Sequence, residues 1–170
     1  MMEHELSLEI IKQWLTDADC AVRTAAMNAC QGKDIPLEII KHGLTDADCD
    51  VRTAAMNACK INGTPIPIIR SIEPPDLVYK KCVCGIIVVA EIPKDAQIRG
   101  TITGKCRANK AVIKEIIGDI CGEPVGISKH DLRTFYYKDD IVEILDFDYS
   151  NEECSTGFHF FCTREKAEAY

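Results

Sequence analysis

This chain has no apolar run of the length a bilayer demands. A spanning helix needs about 20 apolar residues, and a segment such as Gly85–Ala90 is far too short. That excludes a membrane-spanning helix, and no membrane partner is expected. The start, Met1-Met2-Glu3-His4-Glu5-Leu6, is acidic and carries no apolar core of a leader, so no signal peptide is expected. An excess of basic charge is missing too. The net charge is −7, with 10 acidic and 7 basic side chains in residues 1–70 and 17 and 13 in residues 71–170. Both parts repel phosphate backbones, which argues against general nucleic-acid binding.

Two signatures of cysteine chemistry are also missing. There is no pair of Cys-x2-4-Cys knuckles of the kind that holds structural zinc, and no evident third member that would complete a Cys/His triad. Yet the chain holds ten cysteines. Four of them (Cys20, Cys30, Cys49 and Cys59) sit in Ala-rich helical pattern, where they read as small core residues kept reduced. That usage points to a cytoplasmic protein.

What is present is a duplication. Leu15–Cys30 reads LTDADCAVRTAAMNAC, and Leu44–Cys59 repeats it with Asp50 in place of Ala21. The flanking Leu8-Glu9-Ile10-Ile11-Lys12 returns as Leu37-Glu38-Ile39-Ile40-Lys41, at the same offset of 29 residues. Each copy predicts two helices. Leu8, Ile11 and Leu15, and again Leu37, Ile40 and Leu44, give the first an apolar face. Ser7 or Pro36 opens it. Asp17 and Asp46, or Asp19 and Asp48, are placed to cap the second. There Val22, Ala25, Ala26 and Ala29, and likewise Val51, Ala54, Ala55 and Ala58, fall on one side. Asp19 and Arg23, and Asp48 and Arg52, stand four apart with the acid first, the favourable order for a pair. Gly32 and Gly63 lie where such helices stop.

A period of this size with two helices per unit predicts a solenoid of helix pairs. The Asp-x-Asp-x-x-Val-Arg heads at Asp17–Arg23 and Asp46–Arg52 resemble the short form of HEAT-like repeats. The resemblance covers roughly residues 5–70. It implies an α-solenoid in which Asp and Arg bridge neighbouring repeats. Thr64–Arg70 aligns with Ile35–Lys41 and predicts a half-repeat that caps the stack, ended by Pro74-Pro75.

Beyond Asp76 the pattern turns to strands. Leu77–Val83 and Ile86–Ile92 are separated by a turn at Gly85, and Gln97–Ile102 and Lys105–Ala108 are short candidates. Ala111–Ile117 reads as helix or strand, with strand favoured by its β-branched residues. Thr134–Tyr137, Ile141–Leu145 and Gly157–Cys162 complete the set, and Thr163 caps a closing helix. Lys105–Ala111, Glu153–Phe161 and Thr163-Arg164-Glu165 resemble an uncharacterised domain that follows repeat arrays, pentapeptide repeats among them, in bacterial, phage and large-virus proteins. No activity comes with that resemblance.

The expected architecture is therefore α+β: an N-terminal α-solenoid of HEAT-like helix pairs over residues 1–73 and a C-terminal β-rich domain over 74–170 ending in a short helix. Candidate chemistry is sparse. Cys154 and His159 form the best nucleophile and base, with Gly157 allowing a tight bend between them. The same His159 equally braces a loop. Cys82 and Cys84 are the weak metal candidates, and share a face if both lie on a strand. Lys105, Arg107, Lys110 and Lys114 cluster, and suit an anion or an acidic partner, with Lys105, Arg107 and Lys110 as partner-binding candidates, or else a solvated face. Asn28, Asn57, Arg23 and Arg52 recur in the two copies as partner-binding candidates. No cofactor is implied. The expectation is a non-enzymatic protein-interaction or scaffold module with an unknown protein partner and self-association possible. The alternative is a small enzyme or ligand-binding domain in the C-terminal half.

Overall fold

A computed structural model describes residues 7–101, 104–150 and 152–170. The chain divides into two units. One runs to Pro67 and takes in Tyr149 and Ser150; the other holds Ile68–Asp148 and Glu152–Tyr170.

The first unit contains four short helices: α1 (Leu8–Trp14), α2 (Cys20–Asn28), α3 (Leu37–Leu44) and α4 (Cys49–Asn62). The caps are the ones the sequence offers. Ser7 accepts from the Ile10 N–H, Asp19 from Ala21, and Asp48 from Asp50 and Val51. Gly63 ends α4 in the left-handed conformation, φ 62°.

The expected HEAT-like α-solenoid is not formed. The two copies do not behave as equivalent stacked units. α4 buries Val51, Ala54, Ala55, Ala58 and Cys59, whereas α2 buries only Ala26 and Met27 and leaves Val22 partly open and Ala25 exposed. The capping half-repeat is absent as well. Thr64–Ile69 is not helical, and the chain from Ile69 to Ser71 joins a sheet edge instead. Ile98 N–H donates to the Ile69 carbonyl at 2.8 Å, and Ser71 N–H to the Ile98 carbonyl at 3.0 Å. Pro65 and Pro67 explain why: each denies a helix an N–H, and each pushes the preceding residue toward extended backbone. The molecule is a small β-rich α+β protein with five short helices among the described residues and no repeat array.

The predicted Asp19–Arg23 pair within the second helix is also replaced. Arg23 does not pair with Asp19. Its Nε and Nη2 donate to the Asp46 carboxylate at 2.8 and 3.0 Å, and its Nη1 to the carbonyls of Asp17 and Ala18. Arg52 donates to the carbonyls of Asp46 and Ala47. Asn62 ties the unit together from α4. It accepts from Gly32 N–H and donates to the carbonyls of Cys30 and Lys33.

The second unit is built from antiparallel sheets. β1 (Val78–Lys81), β2 (Ile87–Glu91), β5 (Lys110–Ile117) and β8 (Ile141–Glu143) form a four-stranded sheet in the order β1-β2-β5-β8. β3 (Ile98–Arg99), β4 (Cys106–Ala108) and β9 (Phe158–Phe160) form a second sheet, and β6 (Gly126–Ile127) pairs with β7 (Phe135–Tyr136). Tyr79 and Phe161 exchange backbone hydrogen bonds of 2.9 and 2.8 Å and so tie β1 to the end of β9. Residues 111–117 are strand, as their β-branched content favours. Of the expected strand Gln97–Ile102, the structure gives Ile98–Arg99, and Ile102 lies outside the described residues. Val78, Val88, Ile98, Ile113, Phe158 and Phe160 form the core between the sheets. Thr163 caps α5 (Arg164–Ala169). Among the described residues no helix is long and apolar enough to cross a membrane.

Gly43 lets the helices of the first unit approach closely. A Cβ there would lie 2.6 Å from the Met27 sulfur and 2.9 Å from the Ala55 Cβ. Alanine at a helical position ordinarily gains about 1 kcal/mol over glycine. Here overpacking, which costs about 1–3 kcal/mol, outweighs that gain. Gly43→Ala is expected to destabilise by about 1–2 kcal/mol, read as a lower urea midpoint at unchanged slope; a raised midpoint would contradict the close packing.

Candidate functional site

Side-chain chemistry in the second unit converges around β1 and β9. Along β1, Val78, Lys80 and Cys82 occupy alternate, inward positions, so a lysine stands where an apolar residue is the rule. Only 6% of Lys80 is exposed. Its Nζ lies 5.4 Å from the Phe158 ring centre and 5.7 Å from that of Tyr136, and donates to the His159 carbonyl at 3.4 Å. Those two rings meet edge to face at 5.7 Å. Burial holds the Lys80 pKa below the ordinary lysine value; Cys82 opposes it, and the like charge of Lys105 adds a smaller push downward.

Outside Lys80 lies a more open group. Lys105, 8% exposed, donates from Nζ to the Cys154 sulfur at 3.2 Å and stands 5.3 Å from the centre of the Tyr170 ring. Lys129 reaches the same ring at 5.6 Å. His130 and His159 face each other with ring centres 5.9 Å apart. Burial works against the Lys105 ammonium, but its contacts with Cys154 and Tyr170 outweigh that and raise its pKa. His130 is held below the usual histidine value by burial and by Lys80, Lys105 and Lys129. Burial, and after it the charges of Lys80, Lys105, His130 and Arg107, push His159 down to about 4. Its Nε2 is buried with no hydrogen-bond partner. Among the described residues no carboxylate lies within ion-pair distance of Lys80, Lys105 or Lys129.

The candidates read from the sequence are therefore redistributed. Cys154 and His159 lie in one region, but Cys154 is exposed and bonded to Lys105 rather than to the imidazole. On β9, Phe158 and Phe160 are buried while His159 faces the other way, as strand alternation requires. Cys82 and Cys84 do not share a face. Cys82 is buried, with its thiol pushed up to about 11 by burial, whereas Cys84 is exposed in a turn at φ 56°. Neither gathers a third metal ligand; among the described residues only Asp48, Cys49 and Asp50 come close enough, at the exposed start of α4. The basic cluster separates into individual roles. Lys105 enters the site, Lys110 pairs with Asp95 at 2.7 Å, and Lys114 pairs with Glu91 at 2.9 Å. Arg107, 2% exposed, donates to the carbonyls of Glu152, Asp148 and Thr156 and lies 5.2 Å from the Phe147 ring centre. Asn28 and Asn57 are exposed on their helices, Asn28 accepting from Gln31. Arg23 and Arg52 are committed to the hydrogen bonds described above.

Lys80, Lys129, His130 and Tyr170 escaped the sequence reading. Only Lys80 had a legible signal, its place between Val78 and Cys82 at strand spacing.

The neutral state of His159 has a stability consequence. Its folded pKa of about 4 lies below the ordinary value of about 6.5. Between those values the unfolded chain binds more protons than the folded one, so stability is lost as pH falls from about 6.5 to about 4. NMR titration is expected to show His159 uncharged at pH 5, and His159→Asn to flatten the pH dependence of stability within that window. A wild-type His159 midpoint near 6.5 would contradict the burial described.

The model of the Family of unknown function (DUF5758) matches residues 45–167. That span begins within the second copy of the duplicated segment and crosses the double proline, so the match runs through the boundary that the HEAT-like reading placed there. It replaces the HEAT-like assignment. No curated protein and no solved structure matches the chain. The chain belongs to this family of unknown function.

Proposed function

We propose that the chain is a binding protein whose β-rich unit recognises a small anionic group, a phosphate or a carboxylate, between Lys105 and Lys129 on the face of Tyr170. The observation that carries this reading is the gathering of Lys105, Lys129 and His130 over buried Lys80 with no ion-pair partner among the described residues. Like charges held together in a partly dry place repel one another, and a bound anion removes that cost. The setting is specific rather than a product of overall charge, because the chain as a whole is acidic, with pI about 5.1. Phosphate and carboxylate suit lysine ammoniums as point charges, and the rings beside them suit an aromatic or apolar portion of the ligand. A general nucleic-acid backbone does not fit, since the surrounding acidic surface would repel it. The reading is of recognition without turnover: Cys154 is bonded to Lys105 and His159 is not placed to activate it. The protein-interaction reading that rested on a solenoid groove loses its basis together with the solenoid.

Titration with inorganic phosphate at low salt, followed by NMR and calorimetry, tests the site. Signals of His130, His159 and Tyr170 are expected to move together. Lys105→Ala should weaken binding about tenfold, in line with loss of one charge-assisted hydrogen bond. Lys138→Ala, at an exposed position in a turn, should leave binding unchanged. Equal losses in the two variants, or shifts that avoid His130 and Tyr170, would sink the proposal.

A further inference from the structure

We infer that Lys80 is an imine-forming amine, and that the ligand of this site is an oxo acid, whose carbonyl carbon meets Lys80 while its carboxylate rests on Lys105 and Lys129. This deepens the anion-binding reading and rests on it for the carboxylate half.

The geometry separates the cations by depth. Lys105, Lys129 and His130 form the outer part, with Lys129 and His130 exposed, and provide charge for an anion. Lys80 lies deeper, with its Nζ beside the paired Tyr136 and Phe158 rings, on the inward face of β1 two residues from Val78 and two from the buried Cys82 just past the strand. It differs from an ordinary structural lysine in two ways. No carboxylate pairs with it among the described residues, and its only hydrogen-bond acceptor there is the His159 carbonyl at 3.4 Å. A buried cation kept for structural reasons is normally paired. A buried amine beside other cations is the setting that activates a lysine nucleophile. Burial and the Lys105 charge favour the neutral form of Lys80, the form that attacks.

The neighbouring charges divide in the same sense. Lys105 and His130 face Lys80 with positive or neutral groups, and Cys82 is the one acidic group whose charge acts on it. Asp131, the nearest carboxylate in sequence to His130, is occupied by Thr134, Arg133 and backbone N–H groups. The reaction balances without an added oxidant or reductant. The Lys80 nitrogen lone pair adds to the carbonyl carbon, forming the C–N bond. The carbonyl oxygen then leaves as water with the two hydrogens of the amine, and the imine remains.

The experiment is reductive trapping on the intact wild-type protein. It is incubated separately with glyoxylate, with 4-oxobutanoate and with the uncharged aldehyde butanal, each with sodium cyanoborohydride, and the modified lysines are mapped by peptide mass spectrometry. Lys80 is expected to be modified severalfold faster than any other lysine, and faster by the oxo acids than by butanal. Excess phosphate and Lys105→Ala should each slow the oxo-acid reaction at Lys80. Lys80→Arg, which keeps the cation, should abolish the preferred site while retaining phosphate binding. Modification spread over exposed lysines, with Lys80 no faster than Lys138, overturns the inference. If phosphate binds at Lys105 while Lys80 stays unmodified, the imine falls and the anion site stands. If Lys80 is trapped but butanal reacts as fast as the oxo acids, the oxo-acid assignment falls.

Discussion

The Arg107 guanidinium is the fastening on which the second unit's chemistry depends. It is almost wholly buried. It donates to three backbone carbonyls, those of Asp148, Glu152 and Thr156, and lies against the Phe147 ring. Those carbonyls belong to residues with no strand or helix of their own, and a buried carbonyl without a donor is costly. Arg107 supplies donors from the middle of β4, across from His159 in the ladder. Gly157, at φ 151°, brings its backbone within van der Waals range of the Arg107 side chain; a Cβ there would stand 2.9 Å from the Arg107 Cβ. Through this fastening the residues before β9 are set, and with them the place of Cys154 beside Lys105.

The duplicated helices make a different point about local and tertiary determinants. Fifteen of sixteen residues are the same in Leu15–Cys30 and Leu44–Cys59, and both copies use the same aspartate cap. Local chemistry is therefore reproduced. Burial is not, because it depends on what each helix meets. α4 hides a full apolar face, while α2 hides two residues. The arginines follow the same rule. Arg23 finds the Asp46 carboxylate of the next copy, and Arg52 donates to the carbonyls of Asp46 and Ala47 within its own. Repetition in a sequence specifies repeated turns and caps; an array also needs repeated surroundings, and two copies cannot give each other those.

The same distinction explains what was legible beforehand. Caps, turns and strand alternation are written within a few residues, so Asp19, Asp48, Gly63, Thr163 and the β-branched run at 111–117 declared themselves. The inward face of β9 was also readable from Phe158 and Phe160. Thr64–Arg70 misled because its likeness to Ile35–Lys41 hid the effect of two prolines where the earlier copy has one. The cationic site was only half visible. Lys105, Cys154 and His159 drew notice by type, but Arg107 and Lys110, adjacent in sequence, serve other purposes. Lys80, Lys129 and Tyr170 are far apart along the chain and come together only through the pairing of β1 with the end of β9 and the docking of α5.

An arrangement of this kind stores an imbalance. The hydrophobic interior between the sheets holds Lys80 between the buried positions of Val78 and Cys82, with its Nζ beside the Tyr136 and Phe158 rings. Were the cluster merely structural, replacing Lys80 by an apolar side chain of similar length would relieve both its desolvation and its repulsion from Lys105. With Val78 and Cys82 as the buried positions on either side of it, nothing in the packing asks for an amine there. The amine is intelligible when something outside the chain completes the site, by supplying negative charge to Lys105 and Lys129 and an electrophilic carbon to Lys80. The fold then contributes what an isolated lysine lacks, a dry environment.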